Sequence, residues 1–318
     1  MKKLKRIIMT LLFVLLITAC TNNDNGNEDQ RTQGREGEAL IWRVSSDTAT
    51  VYLVGTIHVG LENLYPMQQI LLDAFYRSEV LAVEVDIVAI ESSLQTQFEL
   101  AQLMILDDGT TISDHLSEET MDLLEEYLDT INMSGMERQI LHSLRIGALT
   151  VTLMQNQLAE WGFMEVSGVD KFFLELAHER EKEIIEVETA TFQIEMFMNF
   201  SPRLQEFMLR DLIETPVAEA RAHIDRIYNY WLAGNDVGLR NLLDETNQEM
   251  MAYSRTLFEE YNTAIMLNRD IAMVEKIHEL LDGNQTVFFA VGAAHIIGEN
   301  GVIEQLEAEG LTVTRVSQ

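Results

Sequence analysis

Apolar and polar side chains alternate along residues 39–45 and again along 48–54, on either side of Ser46-Asp47. A period of two puts one face of an extended chain in a core and the other toward water, so this stretch predicts a β-hairpin. Three later runs read as further short strands, the first of them apolar enough through its middle to be a buried one. They are Glu79–Asp86 (EVLAVEVD), Lys182–Glu188 (KEIIEVE) and Thr286–Val291, and the first two end in acids. Leu311–Val316 alternates again and predicts a last strand.

Between these runs the apolar spacing is three to four. It predicts helices over Pro66–Tyr76, Val169–Arg180 and Gly301–Glu309, the last stopped by Gly310. Residues 87–160 read as helical, with repeats at Leu123, Leu124 and Leu128 and at Ile140, Leu141, Leu144 and Leu149. Within them Ser117 is an N-cap. Thr120 cannot close a capping box, but Glu118 and Glu119 suit a first turn. Residues 203–281 carry no strand pattern and read as several long helices. Strand and helix alternate at both ends with helical sequence between. The expected fold is α/β, a mixed sheet core built from N- and C-terminal segments with a large helical insertion or cap.

One phrase occurs twice. Residues 52–58 are YLVGTIH and 289–295 are FAVGAAH, each a β-prone run ending in Gly-x-x-His. Gly55 and Gly292 are expected to let the backbone turn at a strand end, bringing His58 and His295 just beyond the C-terminal edge of the sheet. That edge is where α/β folds build sites. Glu84 and Asp86 close one later strand and Glu188 another; if these strands are parallel neighbours of the first, the acids point to the same edge as the histidines. Two imidazoles with one or two carboxylates form a donor set for Mn, Co, Fe or Zn with a position left for water. A bound metal lowers the pKa of such a water and polarises a carbonyl. Glu84 reads equally as ligand or general base. The bland alternative is that each histidine is a hydrogen-bonded loop residue and each acid a solvated strand end.

Other motifs lead nowhere. His115, His142, His178, His223 and His278 lie in helical or turn sequence without partners at ligand spacing. His178-Glu179 would open a zinc-protease motif, but position 182 is lysine. The methionines, 16 in all, sit at helical spacing as core filler. No GxGxxG, phosphate-binding loop or GxSxG occurs.

The first residues change the picture of where the chain works. Lys2, Lys3, Lys5 and Arg6 precede an apolar stretch, Ile7–Ile17, too short for the roughly 20 residues of a membrane span. Ile17-Thr18-Ala19-Cys20 then reads as a lipoprotein signal, with cleavage before Cys20 and lipid on its thiol; a plain secretory signal with an incidental cysteine is the alternative. Cys20 is the single cysteine, so no internal disulfide exists. Residues 1–19 are thus expected to be a signal peptide, 20–38 a polar tether, and 39–318 one folded domain. The expected location is a bacterial membrane, lipid-anchored on an extracytoplasmic face. Without residues 1–19 the chain keeps 18 Lys and Arg against 52 Asp and Glu, a formal charge of −34. That argues against nucleic-acid partners and is expected to keep the body off anionic headgroups.

Taken together, LVGTIHVG (53–60), EVD (84–86), GVDKFFLELA (168–177), EVETATFQ (186–193), LNRD (267–270) and VGAAHIIGENGVIEQLEAEGLTVTRV (291–316) resemble the TraB/PrgY/GumN family. That family is related to the Tiki metalloproteases and, further off, to ChaN-like and erythromycin-esterase-like proteins. The resemblance spans about residues 39–318. It implies a metal-dependent peptidase centre of His58, His295 and Glu84 acting on a peptide or protein. It marks Arg269 as a residue that neutralises an oxyanion or a carboxylate, with Glu188 and Asp170 as further site candidates. The family has Arg-Asn where this chain has Arg269-Asp270. The resemblance also implies two other readings: a non-catalytic surface protein that binds or sequesters a peptide pheromone, and a haem- or iron-binding protein.

Overall fold

The computed structural model describes residues 31–131 and 133–317. The signal segment and Cys20 lie outside the described residues. Six strands form one sheet in the order β4-β3-β5-β2-β1-β6. They are β1 (Ile41–Ser45), β2 (Thr50–Thr56), β3 (Val80–Val83), β4 (Glu183–Glu186), β5 (Thr286–Gly292) and β6 (Thr314–Arg315). β4, β3, β5 and β2 run parallel, while β1 pairs antiparallel with both β2 and β6. The expected mixed α/β sheet is present, and both ends of the chain contribute to it.

The central strands are the buried ones: in β3 every residue is buried and in β5 all but Thr286, whereas β4 at the sheet edge exposes Glu183 and Glu186. Successive side chains point to opposite faces, so both faces are covered by helices. Phe75 of the helix Gln69–Arg77 and Phe173 of the helix Val169–Glu179 pack against Phe288 of β5, at 5.6 and 4.6 Å between ring centres. Trp231, Met273 and Ile277 from later helices complete the same core. Trp231 Nε1 also donates to the buried carbonyl of Gly55 at 2.8 Å, fixing the end of β2.

Two insertions interrupt the sheet and are almost wholly helical, between β3 and β4 and between β4 and β5. They hold two further apolar clusters, one around Val151, Phe197 and Leu204 and one around Leu124, Leu149 and Leu209. The expected helical run 87–160 is broken into Ile87–Glu91, Leu94–Gln102, Glu118–Thr130, Gly135–His142 and Ile146–Glu160. Ser117 caps the third, accepting from Thr120 N–H at 3.3 Å. The helix Ala190–Met198 falls in a stretch to which periodicity assigned no element. The last strand shortens to Thr314–Arg315.

The polar segment before Ala39 is not wholly detached. Arg31 stacks over Tyr65 at 4.4 Å and pairs with Glu175 at 3.1 Å, and the Arg35 backbone bonds to Met67 and Gln69. Among the described residues no helix is long and apolar enough to cross a membrane.

Candidate active site at the carboxyl edge of the sheet

The two Gly-x-x-His phrases lie side by side. β2 and β5 are parallel neighbours in a register that pairs Gly55 with Val291 and Thr56 with Gly292. Both histidines therefore leave the same sheet edge, His58 on the loop after β2 and His295 in the short helix Ala293–Ile297. Neither glycine has a positive φ. Gly55 is needed for packing, since a Cβ there would stand 3.0 Å from the Cα of Ala293. Gly292 precedes the short helix, and its N–H donates to Glu84 Oε1 at 2.8 Å.

Each histidine is held by an aspartate. His58 Nδ1 lies 2.6 Å from Asp170 Oδ2, whose other oxygen accepts from Thr56 Oγ1 at 2.5 Å. His295, fully buried, has Nδ1 2.6 Å from Asp270 Oδ1. An aspartate on Nδ1 fixes ring orientation and places the lone pair of the neutral ring on Nε2. Burial works against the charged form of His58, but Asp170 overcomes it and raises the imidazole above its ordinary value. Asp170 reaches His58 because Gly168 lets the chains touch: a Cβ on Gly168 would fall 2.2 Å from the His58 carbonyl oxygen. Val169 N–H also donates to the Ile57 carbonyl at 2.9 Å.

Between the histidines lies a buried charge cluster. Arg269, 2% exposed, donates from Nη2 to Glu84 Oε2 at 2.6 Å and to Glu188 Oε2 at 2.9 Å, and from Nε to Glu188 Oε1 at 2.7 Å. Gln193 Nε2 donates to both acids, at 3.0 Å to Glu84 and 2.8 Å to Glu188. Glu84 Oε1 stands 4.0 Å from His58 Nε2. Burial alone would raise the Glu84 acid. The charges of Arg269, His58 and His295 and the Gly292 N–H reverse that and bring it down to about 2. The guanidinium is correspondingly held charged. A π-helical turn, Thr263–Leu267, precedes Arg269, and its Ile265 carbonyl accepts from Nη1 at 3.3 Å.

The structure thus brings together His58, His295, Glu84, Glu188, Arg269 and Asp170. Asp86 is elsewhere. It caps the helix Ile87–Glu91 and meets His178 Nε2 at 2.8 Å, so the partner that spacing did not offer His178 comes from another strand end. Arg269 is engaged with carboxylates rather than poised for an oxyanion. Asp270, Gln193 and Thr56 were not candidates from the sequence. The one signal for Asp270 was its departure from the family's Arg-Asn.

A sequence model of the TraB/PrgY/gumN family matches residues 40–315. The chain belongs to that family. Among curated relatives, this TraB/PrgY/gumN protein is 25% identical over 259 residues to the uncharacterised protein YbaP of Escherichia coli (strain K12), covering 80% of this chain and 87% of the other. It is 23% identical over 305 residues to an uncharacterised protein of Treponema pallidum (strain Nichols), covering 93% and 88%. It is 24% identical over 353 residues to the metalloprotease TIKI1 of Danio rerio, covering 96% and 69%. No solved structure gives a significant match.

The likeness to a metalloprotease raises the question of a metal. Two imidazoles with aspartates on Nδ1, and a carboxylate oxygen facing one Nε2, are the right kinds of donor. They are not drawn together: among the described residues no three His, Cys, Asp or Glu side chains form a group able to hold a metal ion. Binding one requires His58, His295 and Glu84 to close on a common point.

Proposed function

We propose that this protein is a metal-dependent hydrolase of peptides, carried on an extracytoplasmic membrane face by lipid on Cys20. The observation that carries the reading is the pair of aspartate-oriented histidines flanking a buried glutamate at one sheet edge. Two histidines and one carboxylate recur as the protein ligands of hydrolytic zinc. The likeness to the Danio rerio metalloprotease TIKI1 supports the same class.

His58, His295 and Glu84 would hold Mn, Co or Zn, which would supply Lewis-acid polarisation of a carbonyl and acidify a water. The chain's own residues do the positioning. Asp170 and Asp270 keep the imidazoles oriented, and Arg269 with Gln193 keeps Glu84 ionised and aimed. Burial of this cluster strengthens each interaction in it.

The test is cleavage of a peptide library by purified protein supplied with Mn, Co or Zn, with and without chelator. Cleavage that stops with chelator and in His58→Ala and His295→Ala supports the reading. Cleavage intact in both variants, or none at all, sinks it. Saturable peptide binding that survives chelation would instead establish a capturing protein, and a haem band lost in both variants an iron-handling one.

A further inference from the structure

Hydrolysis needs a group that takes a proton from water, and the acids around the histidines are already engaged. Asp170 and Asp270 are bound to histidine Nδ1 atoms. Both oxygens of Glu188 are bound to Arg269, one of them also to Gln193. Glu84 accepts from Arg269, Gln193 and Gly292, and a carboxylate so neutralised is a feeble base.

One acid on the loop that runs along the His58 loop is not engaged in that way. Glu165 opens the short turn Glu165–Ser167 that leads into Gly168 and Asp170, and it is half-buried. The preceding Met164 pairs with Gly60 through two backbone hydrogen bonds, and Gly168 lies against the His58 carbonyl. The loop bearing Glu165 is thereby clamped along the loop bearing His58. Among the described residues the Glu165 carboxyl has no hydrogen bond or ion pair. Lys171, Glu91 and His58 are the charged groups near enough to act on it, and Lys171 is itself taken up by Glu91 at 2.6 Å.

We propose that Glu165 is the proton-transferring residue of this site, a base toward water and then an acid toward the leaving amine. The inference rests on the hydrolase reading above. In the first step an O–H bond of water breaks, its proton passes to the Glu165 carboxylate, and the water oxygen bonds to the peptide carbonyl carbon. As the C–N bond then breaks, the same proton goes to the departing nitrogen, leaving a carboxylic acid and an amine. A half-buried carboxyl with no fixed hydrogen-bond partner, on a loop clamped to that of His58, can take up a proton and return it.

The experiment compares wild type, Glu165→Gln, Glu165→Asp and His58→Ala as full chains, with kcat and KM followed against pH on a peptide that wild type cleaves. Metal affinity is measured by titration calorimetry with the same metal. Glu165→Gln should lower kcat about 10²–10⁴-fold, remove the acid limb of the pH profile, and leave KM and metal affinity within about twofold. Glu165→Asp should restore part of the rate and the limb. Wild-type kcat and pH profile in Glu165→Gln, beside an inactive His58→Ala, would overturn the proposal while leaving the hydrolase reading intact. Loss of metal affinity in Glu165→Gln would overturn it in favour of a structural role. A wild type that cleaves no peptide removes the hydrolase reading and this inference with it.

Discussion

Glu84 and Arg269, 185 residues apart in the chain, meet in an ion pair of 2.6 Å from which water is almost wholly excluded. Removing one partner of such a pair leaves an unpaired buried charge, which costs about 3–5 kcal/mol. Here two acids would be orphaned, because Arg269 also serves Glu188. Arg269→Ala should therefore fall at or above that range in urea unfolding. Arg269→Lys should recover little, since a single ammonium cannot span both carboxylates as the guanidinium fork does. A loss below about 1 kcal/mol for either variant would show that the cluster is not the buried anchor described.

The same pair sets a pH dependence. Glu84 is brought from an ordinary 4.5 to about 2, so its stabilisation is complete above 4.5 and disappears as pH falls toward 2. Thermal midpoints should drop through that interval, and Glu84→Gln should show a shallower slope there even though its midpoint at neutral pH is lower. His58 has the opposite sign. Its pKa is raised, so its contribution is complete below 6.5 and fades as pH rises through the folded value. His58→Gln should flatten the decline on that side.

Close approach at Gly168 is a packing prediction. A Cβ 2.2 Å from the His58 carbonyl oxygen must push two loops apart. Gly168→Ala should cost about 1–3 kcal/mol and displace the His58 imidazole resonances in an NMR spectrum. Gly135→Ala is the control, since a Cβ there meets nothing within 4 Å. It should be neutral or stabilise by up to about 1 kcal/mol. Equal effects from the two would remove the close-packing argument.

Asp170 and Asp270 are the outer partners of the histidines. Outer partners of this type are worth about 10–100-fold in metal affinity. Asp170→Asn and Asp270→Asn should each weaken Zn, Co or Mn binding by that factor without changing its stoichiometry, as followed by calorimetric titration. Unchanged affinity in both would mean that the aspartates serve the fold alone.

Much of this arrangement was legible in the sequence for a physical reason. A parallel strand buried on both faces has to be continuously apolar, so EVLAVEVD and the run before Gly292 declared themselves. A repeated strand end then marked His58 and His295. What pairs with what was not legible. The aspartate on His58 comes from a helix 112 residues later, and Glu188 and Gln193 reach Glu84 across a helical insertion. Arg269 and Asp270 are consecutive on a helix and both are buried, after a π-helical turn that no apolar spacing announced. Asp86 shows the converse error. Its place at a strand end matched Glu84, but it caps the next helix instead of entering the site.

The most direct measurement is metal content and affinity of the purified chain from residue 21 onward, beside the His58→Ala/His295→Ala double variant. That starting point keeps Arg31 and Arg35, which dock on the body. One transition metal per chain is expected in the parent and none in the variant, with both folded by circular dichroism. No metal in the parent after Mn, Co and Zn are each supplied, or equal metal in both proteins, would contradict it.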